Sequence, residues 1–451
     1  MSPIIPFKLK TLKSSIRFAT LVILIFITAG AIAQEVYDVG RCIQTGLERN
    51  FNLRVVRNSE AIAVNNYSKG NAGMLPVVTA SNRFGGTLNS TSQRYEDGST
   101  VAAPNVHNTT GLAAVTLGMT IFRGFEVQTS YRKLGEQAAL EGLRTQMAIE
   151  NLVAAIVAEY NNYLQQMTLY DNLAYAVTLS RERVRIDEQR YLLGSASRMQ
   201  LLQSIVYLNA DSSRYARQNE VLRASQIRLN ELMANDDPGE AFLLGDERIS
   251  IDTTLDYDAL QALALENNTS LQIASKNSII SEMDYKIIRS GIYPYLSFNS
   301  GYGYNYNGYS ASNLLNQHTY GLNYGLTLGL DIFDGFNRKR EQSNARIGIE
   351  SSQIRFEEVE QTVKADLLTF YYAYENNLGL MRLEEQNLKV AQENLEIALE
   401  RYKLGSLAGL ELREVQKSLL DAEERLISVK LQIKLAEISL LQLAGGIMNY
   451  L

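Results

Sequence analysis

Between Tyr320 and Ile332 the chain alternates without a break. Tyr320, Leu322, Tyr324, Leu326, Leu328, Leu330 and Ile332 are apolar, and Gly321, Asn323, Gly325, Thr327, Gly329 and Asp331 between them are small or polar. Period two over this length predicts a β-strand with one apolar face. The same pattern recurs with Ala113, Val115, Leu117, Met119 and Ile121 against Leu112, Ala114, Thr116, Gly118 and Thr120. Each strand follows a second candidate, from Val77 and from Leu296, across a stretch rich in Asn, Ser, Gly and Thr. The expectation is two β-hairpins, about 77–122 and about 295–333. Elsewhere the pattern is helical. Phe125 to about Arg190 and Phe336 to about Arg401 lack proline and are rich in Leu, Ala, Glu, Gln and Arg. At 1.5 Å per residue each run spans roughly 100 Å, a coiled-coil length rather than a globular one. Returning helices, about Ser197–Met233 and Leu407–Ala444, cover about half of that. Shorter helical pieces, near Tyr37–Asn71 and Asp256–Ile292, could stack on them end to end.

The pattern is a duplication. "IFRGF" at Ile121 matches "IFDGF" at Ile332, "RYLLGS" at Arg190 matches "RYKLGS" at Arg401, and "LNEL" at Leu229 matches "LLQL" at Leu440, all at an offset of 211. Upstream, "LERN" at Leu47 matches "LENN" at Leu265, and Pro76 matches Pro294, at an offset of 218. One seven-residue insertion between Pro76 and Ile121 accounts for the change. The division expected is a first repeat over 34–234, a Pro/Gly/Asp-rich linker over 235–255 and a second repeat over 256–451.

The start of the chain adds a compartment. Lys8, Lys10, Lys13 and Arg17 precede an apolar stretch that ends in Ala31, Ile32 and Ala33. That is the layout of a secretory signal peptide over 1–33, and the stretch is shorter than the roughly 20 residues of a spanning helix. Removing it takes away four basic groups and leaves 39 Lys+Arg against 49 Asp+Glu, a net charge of −10. Such a balance argues against nucleic acid as a partner. One cysteine excludes an internal disulfide framework. Eight of the 26 tyrosines fall between Tyr293 and Tyr324. Aromatic residues near the ends of strands with one apolar and one polar face are features of outer-membrane strands. Four strands cannot close a barrel, and open edges in lipid cost several kcal/mol per unpaired backbone group, so the chain must pool strands with copies of itself.

In these features, in the hairpin-to-helix motifs "IFRGF" and "IFDGF", in the tips "RYLLGS" and "RYKLGS" and in the endings "LNELM" and "LLQLAGG", the chain resembles the outer-membrane efflux protein family, the TolC-like trimeric channels. The resemblance covers essentially the whole mature chain. It implies a mixed fold, a membrane β-barrel plus an α-helical barrel, closed as a homotrimer with twelve strands and a periplasmic helical tunnel. It also implies a place in the outer membrane of a Gram-negative cell, in contact with outer-membrane lipid. The role implied is the passive exit duct of a tripartite efflux or secretion system, with a periplasmic adaptor (membrane fusion) protein and an inner-membrane transporter as partners.

Gly194 and Gly405 end helical runs as C-cap glycines do, and Ser197 and Gln200 have capping-box spacing, so both tips (190–197 and 401–408) read as helix-to-helix turns. The resemblance adds that Arg190, Tyr191, Leu193, Gly194 and Ser195, with their twins Arg401, Tyr402, Leu404, Gly405 and Ser406, form the adaptor-docking surface. Beyond the second tip, Glu411 and Glu414 lie three apart on one helix face, where the first repeat has Gln200 and Gln203. The resemblance implies that these residues ring the periplasmic entrance, six carboxylates in a trimer, as a cation-selective gate. The local alternative is that Glu411 only complements the helix dipole. His107 and His318 precede the second strand of each hairpin without further ligands at metal spacing, so they read as loop residues. No G-x-S-x-G, H-E-x-x-H or P-loop occurs, and no enzyme, cofactor or metal site is expected. A periplasmic coiled-coil scaffold or adhesin would explain the helices but not the two hairpins.

Overall fold

The computed structural model describes residues 36–310 and 314–450; the expected signal peptide lies outside the described residues. The elements run β1 (Val36–Tyr37), α1 (Val39–Arg49), α2 (Phe51–Asn66), β2 (Val77–Arg94), β3 (Thr100–Arg123), α3 (Glu126–Leu192), α4 (Arg198–Met233), β4 (Leu243–Leu244), α5 (Tyr257–Asn267), α6 (Thr269–Ser290), β5 (Tyr295–Gly308), β6 (Asn316–Gly329), α7 (Asn337–Lys403), α8 (Gly409–Leu443) and a 3₁₀ turn at Ile447–Tyr450. A four-stranded sheet sits at one end of a long bundle of helices.

The two halves repeat the same order of elements. Helices α3 and α7 each have 67 residues, about 100 Å. Both start from a pair of left-handed residues, Gly124–Phe125 with φ of 55° and 67° and Gly335–Phe336 with φ of 70° and 64°. Each Phe meets the aromatic ring three residues earlier edge to face, at 5.4 Å for Phe122–Phe125 and 5.3 Å for Phe333–Phe336. This is the physical content of "IFRGF" and "IFDGF": a two-residue corner turns strand into helix. A side chain at Gly124 would run into the Ser290 carbonyl, 2.3 Å from its Cβ position.

Twin residues also build the two larger cores. Leu53, Leu152, Ile156, Tyr163 and Leu229 in one correspond to Leu271, Val363, Leu367, Tyr374 and Leu440 in the other. The short helices meet the returning helices end to end, as the sequence suggests. Asn50, between α1 and α2, donates to the Leu232 carbonyl at the end of α4 (3.0 Å), and Asn268, between α5 and α6, donates to Leu443 at the end of α8 (3.0 Å). Both asparagines also cap the helix that follows, on the backbone N–H of Leu53 and of Ser270 and Leu271. The linker is structured: β4 pairs in parallel with β1. Phe242 and Ile249 are buried, Asp246 accepts from Tyr160 (2.8 Å), and the Asp252 amide donates to Glu437 (3.1 Å).

The sheet has the order β2-β3-β5-β6, antiparallel throughout. Its register sorts the side chains into two faces, because directly paired residues share a face. One face carries Val78, Phe84, Val115, Leu117, Phe298, Tyr302, Tyr304, Tyr306, Tyr320, Leu322, Tyr324, Leu326 and Leu328. The other is mostly Gly, Asn, Thr, Ser and Ala, with Val77, Arg83, Leu112, Tyr295 and Gln317 among them. The alternation read from sequence is therefore a property of the whole sheet. Two details differ from expectation. The first hairpin is longer, because most of its Asn/Ser/Thr-rich stretch pairs as strand on either side of a bulge at Asn89/Thr91, where Asn105 takes a φ of 55°. The last strand is shorter and stops at Gly329, since Tyr295 is the final β5 residue available to pair. Ile332 is consequently off the strand and 91% exposed.

The twin asparagines yield a test. Asn268→Ala removes a cap and leaves the half-buried Leu443 carbonyl without this donor, so it should cost about 1–2 kcal/mol. Asn50→Ala should cost a similar amount, measured by denaturant unfolding of detergent-solubilised protein. A loss confined to one half would contradict the equivalence of the repeats.

Candidate functional site

The two tips close with the same bonds. At the first, the Ser195 amide donates to the Arg190 carbonyl (2.8 Å) and the Gly194 amide to Tyr191 (3.0 Å); at the second, Ser406 donates to Arg401 (2.9 Å) and Gly405 to Tyr402 (3.0 Å). This is the Schellman pattern, with Gly194 and Gly405 at φ of 74° and 79°. The serine hydroxyls add a bond each to the same carbonyls, both at 3.1 Å. The restarts then differ. Ser197 and Gln200 form a reciprocal capping box on α4, whereas Ala408 gives α8 no side-chain cap. Glu411 stands in that uncapped first turn, where the dipole favours an anion.

The tips lock together through residues that the sequence did not single out. The Arg190 guanidinium crosses to the second tip, donates to the Tyr402 and Lys403 carbonyls and lies 4.7 Å from the Tyr402 ring. The Tyr402 hydroxyl donates to Asp187, and Arg183 lies 3.9 Å from the same carboxylate. Tyr402, Arg183 and Asp187 are all at most 5% exposed. Burial first, and the bond to Asp187 second, push the Tyr402 phenol up to about 12. Tyr402 therefore leaves the docking surface expected of it: it is the buried anchor between the tips. Its twin Tyr191 is exposed in the single chain, and Ala398 stands where Asp187 has its counterpart. One turn along, Arg413 grips Asp211 through two bonds of 2.6 and 2.7 Å, and Asp211 also accepts from Ser180. The i, i+4 spacing of Arg183 and Asp187 was the available signal, but such pairs are common on exposed helix faces.

Glu411 and Glu414 point the other way. Arg413 between them turns inward, while both carboxylates are exposed and form no ion pair among the described residues. Leu193 and Leu404 project at 82% and 81% exposure. Between the tips lies a cavity of about 980 Å³, lined by Arg183, Arg190, Gln200, Gln203, Lys403 and Gly405 among others. Gly409 leaves room for Arg183, whose Nη2 lies 2.7 Å from the position a Cβ would take. The site thus holds a helix-turn surface, a buried lock and two free carboxylates, with no arrangement of nucleophile and base. His318 is engaged by the Tyr304 hydroxyl on the sheet, remote from the tips.

Two predictions concern this end. Tyr402→Phe leaves the buried Asp187 without its hydroxyl donor and should destabilise the lock by about 1–3 kcal/mol. Amide hydrogen exchange should then rise in residues 187–200 and 400–411 and nowhere else. Further along α8, burial pushes the Glu423 carboxyl up to about 7. Below about 4.5, its unfolded value, the group is protonated in both states; as pH rises through 7 the folded state must ionise a buried carboxylate, and stability is lost. Glu423→Gln should therefore raise the unfolding midpoint at pH 8.5 and leave it unchanged at pH 4.5.

Residues 260–446 match the model of the family described as Outer membrane efflux protein. No curated protein matches the sequence. Solved structures match the fold over nearly its whole length. A membrane protein from Pseudomonas aeruginosa superposes with a TM-score of 0.75 at 17% identity, covering 90% of each chain. The outer membrane protein VceC from Vibrio cholerae gives 0.73 at 14% identity, covering 90% of this chain and 96% of its own. The Campylobacter jejuni outer membrane channel CmeC gives 0.73 at 15% identity, covering 90% and 85%. The resemblance to the outer-membrane efflux protein family, with its TolC-like channels, holds for the second repeat by sequence and for nearly the whole chain by fold. The fold class is that of a chain contributing to a β-barrel and an α-helical barrel.

Proposed function

We propose that this TolC-like chain is one third of an outer-membrane exit duct, a passive channel that docks by its helix tips to a periplasmic adaptor and an inner-membrane transporter. The observation that carries this reading is a matched pair of unsatisfied surfaces. In the first repeat, Leu179 and Ile186 of α3 are covered by the second repeat, against the cluster that contains Leu412 and Leu419 of α8. Their twins on α7, Val390 and Ile397, are 64% and 61% exposed. With Leu383 and Leu404 they form a stripe at seven-residue spacing, as in a coiled-coil seam. The surface that would cover them is α4, the twin of α8, whose Leu202 and Val206 are also bare. The sheet is open in the same sense, with β2 and β6 each lacking an outer neighbour. Head-to-tail contact between copies satisfies both levels at once, and a ring is the closed solution. Three copies would give twelve strands with the apolar face to lipid and the Gly/Asn/Thr face to a lumen.

In such a ring Glu411 and Glu414 of three chains surround the tip end, and their negative charge favours cations there. Leu193 and Leu404, which touch little within the chain, supply the apolar part of a docking surface, together with Arg190, Tyr191, Gly194, Ser195, Arg401, Gly405 and Ser406. The lock around Tyr402 holds the two tips of one chain together and would have to part for the aperture to widen.

Purified protein should run as a trimer that conducts in planar bilayers; a water-soluble rod without conductance would favour a scaffold. Replacing Glu411 and Glu414 with Gln should reduce cation preference several-fold in single-channel recordings. Docking is tested separately by Leu193→Asp with Leu404→Asp, which should abolish export and adaptor cross-linking while trimers persist. Full export by that variant would count against the tips as the contact.

A further inference from the structure

The register of the sheet isolates one charged side chain. On the small, polar face five levels of four paired residues run across the strands: Val77, Gly118, Asn299 and Gly325; Thr79, Thr116, Gly301 and Asn323; Ser81, Ala114, Gly303 and Gly321; Arg83, Leu112, Asn305 and Thr319; Gly85, Thr110, Asn307 and Gln317. Arg83 is the one ionised residue among these positions and the longest. It is exposed and forms no ion pair among the described residues. Arg123, on the same face at the helix end, is paired with Glu126 at 3.1 Å. The levels between Val77 and Arg83 are dominated by glycine and other small residues, so nothing else narrows that stretch. A single unpaired charge across five levels that hold no other charge differs from the mixed-sign surface of an ordinary solvated sheet.

We infer that Arg83 forms an anion-binding constriction inside the barrel, taking multiply charged anions such as polyphosphates or polycarboxylates. The inference rests on the ring assembly proposed above. With strands ~4.8 Å apart and tilted ~40°, a twelve-stranded barrel has a backbone radius of roughly 12 Å. Three Arg83 side chains at one level reach well toward its axis. Every path along the lumen then passes within about one Debye length of a guanidinium, ~8 Å at physiological ionic strength. Guanidinium groups are permanently charged and present paired donors to phosphate or carboxylate oxygens, so the level acts on anions at all physiological pH values. The duct carries opposite signs at its two ends, positive in the barrel and negative at the tips. An anion arriving from outside is held in the barrel before it can reach the carboxylates.

The test uses the full-length trimer in planar bilayers with Glu411 and Glu414 replaced by Gln, so that the tip charge does not mask the barrel. Inositol hexakisphosphate added on the side of the sheet's hairpin loops should block current, and Arg83→Ser should weaken the block at least tenfold with unitary conductance unchanged or raised. Arg83→Lys should retain most of it, which separates charge from bulk. Equal block of the parent and Arg83→Ser channels, or no block of either, would overturn the assignment. Absence of any channel from the parent protein would instead defeat the assembly itself, a result read independently from conductance and cross-linking before the anion is added.

Discussion

A backbone N–H or C=O in lipid must be paired, and this chain leaves two strand edges without partners. Everything else in the molecule is consistent with that constraint being met by another copy. The four strands are too few to close. The helices beneath them leave the matching surfaces bare, α4 on one flank and the Leu383–Val390–Ile397–Leu404 stripe of α7 on the other. Duplication would make this possible: in the proposed ring, the contact between the first and second repeats inside one chain is the template for the contact between the second repeat and the next chain. An association that satisfied the sheet but not the helices would leave large apolar stripes in water, so the two levels favour the same arrangement.

The duplication is also where symmetry is broken, and the breaks fall at the tip end. Asp187 faces Tyr402, but Ala398 stands at the twin position, so the buried lock exists within a chain and has no equivalent between chains. Ser197 and Gln200 cap α4, whereas Ala408 leaves α8 uncapped, with Glu411 in its first turn. Gln200 and Gln203 are neutral where Glu411 and Glu414 are charged. The lengths of the long helices, the corners, the cores and the end-to-end junctions at Asn50 and Asn268 are shared between the halves. Apart from the longer first hairpin and the longer α6, the differences fall at the tips, where the first repeat supplies Asp187 to the buried lock and the second the free carboxylates.

Much of the fold was legible because it is periodic. Alternation gave the hairpins and their lipid-type face, and the structure shows the same pairing on all four strands. The motif "IFRGF" lies where the strand pattern gives way to the helical one, but its left-handed corner at Gly124–Phe125 is visible only in the structure. Less legible were features set by pairing across distance. The Asn- and Thr-rich stretch after Leu88 looked like loop by composition, but β3 offers it a partner, and polar residues pair as strand when one face meets water. Ile332 looked like strand, but β5 ends first and offers none.

By itself the sequence determined the repeat, the lengths of its long helices and the contrast between carboxylates after the second tip and neutral amides after the first, since each follows from local pattern or counting. Only the tertiary structure decided that Tyr402 is an anchor and Tyr191 is not, that Arg413 turns to Asp211 and leaves its glutamate neighbours free, and that Arg83 stands without an ion pair among the described residues on the polar face of the sheet. The reason is physical: periodicity fixes which way a side chain points from its own element. What it meets there depends on residues some two hundred positions away, and only folding brings them within reach.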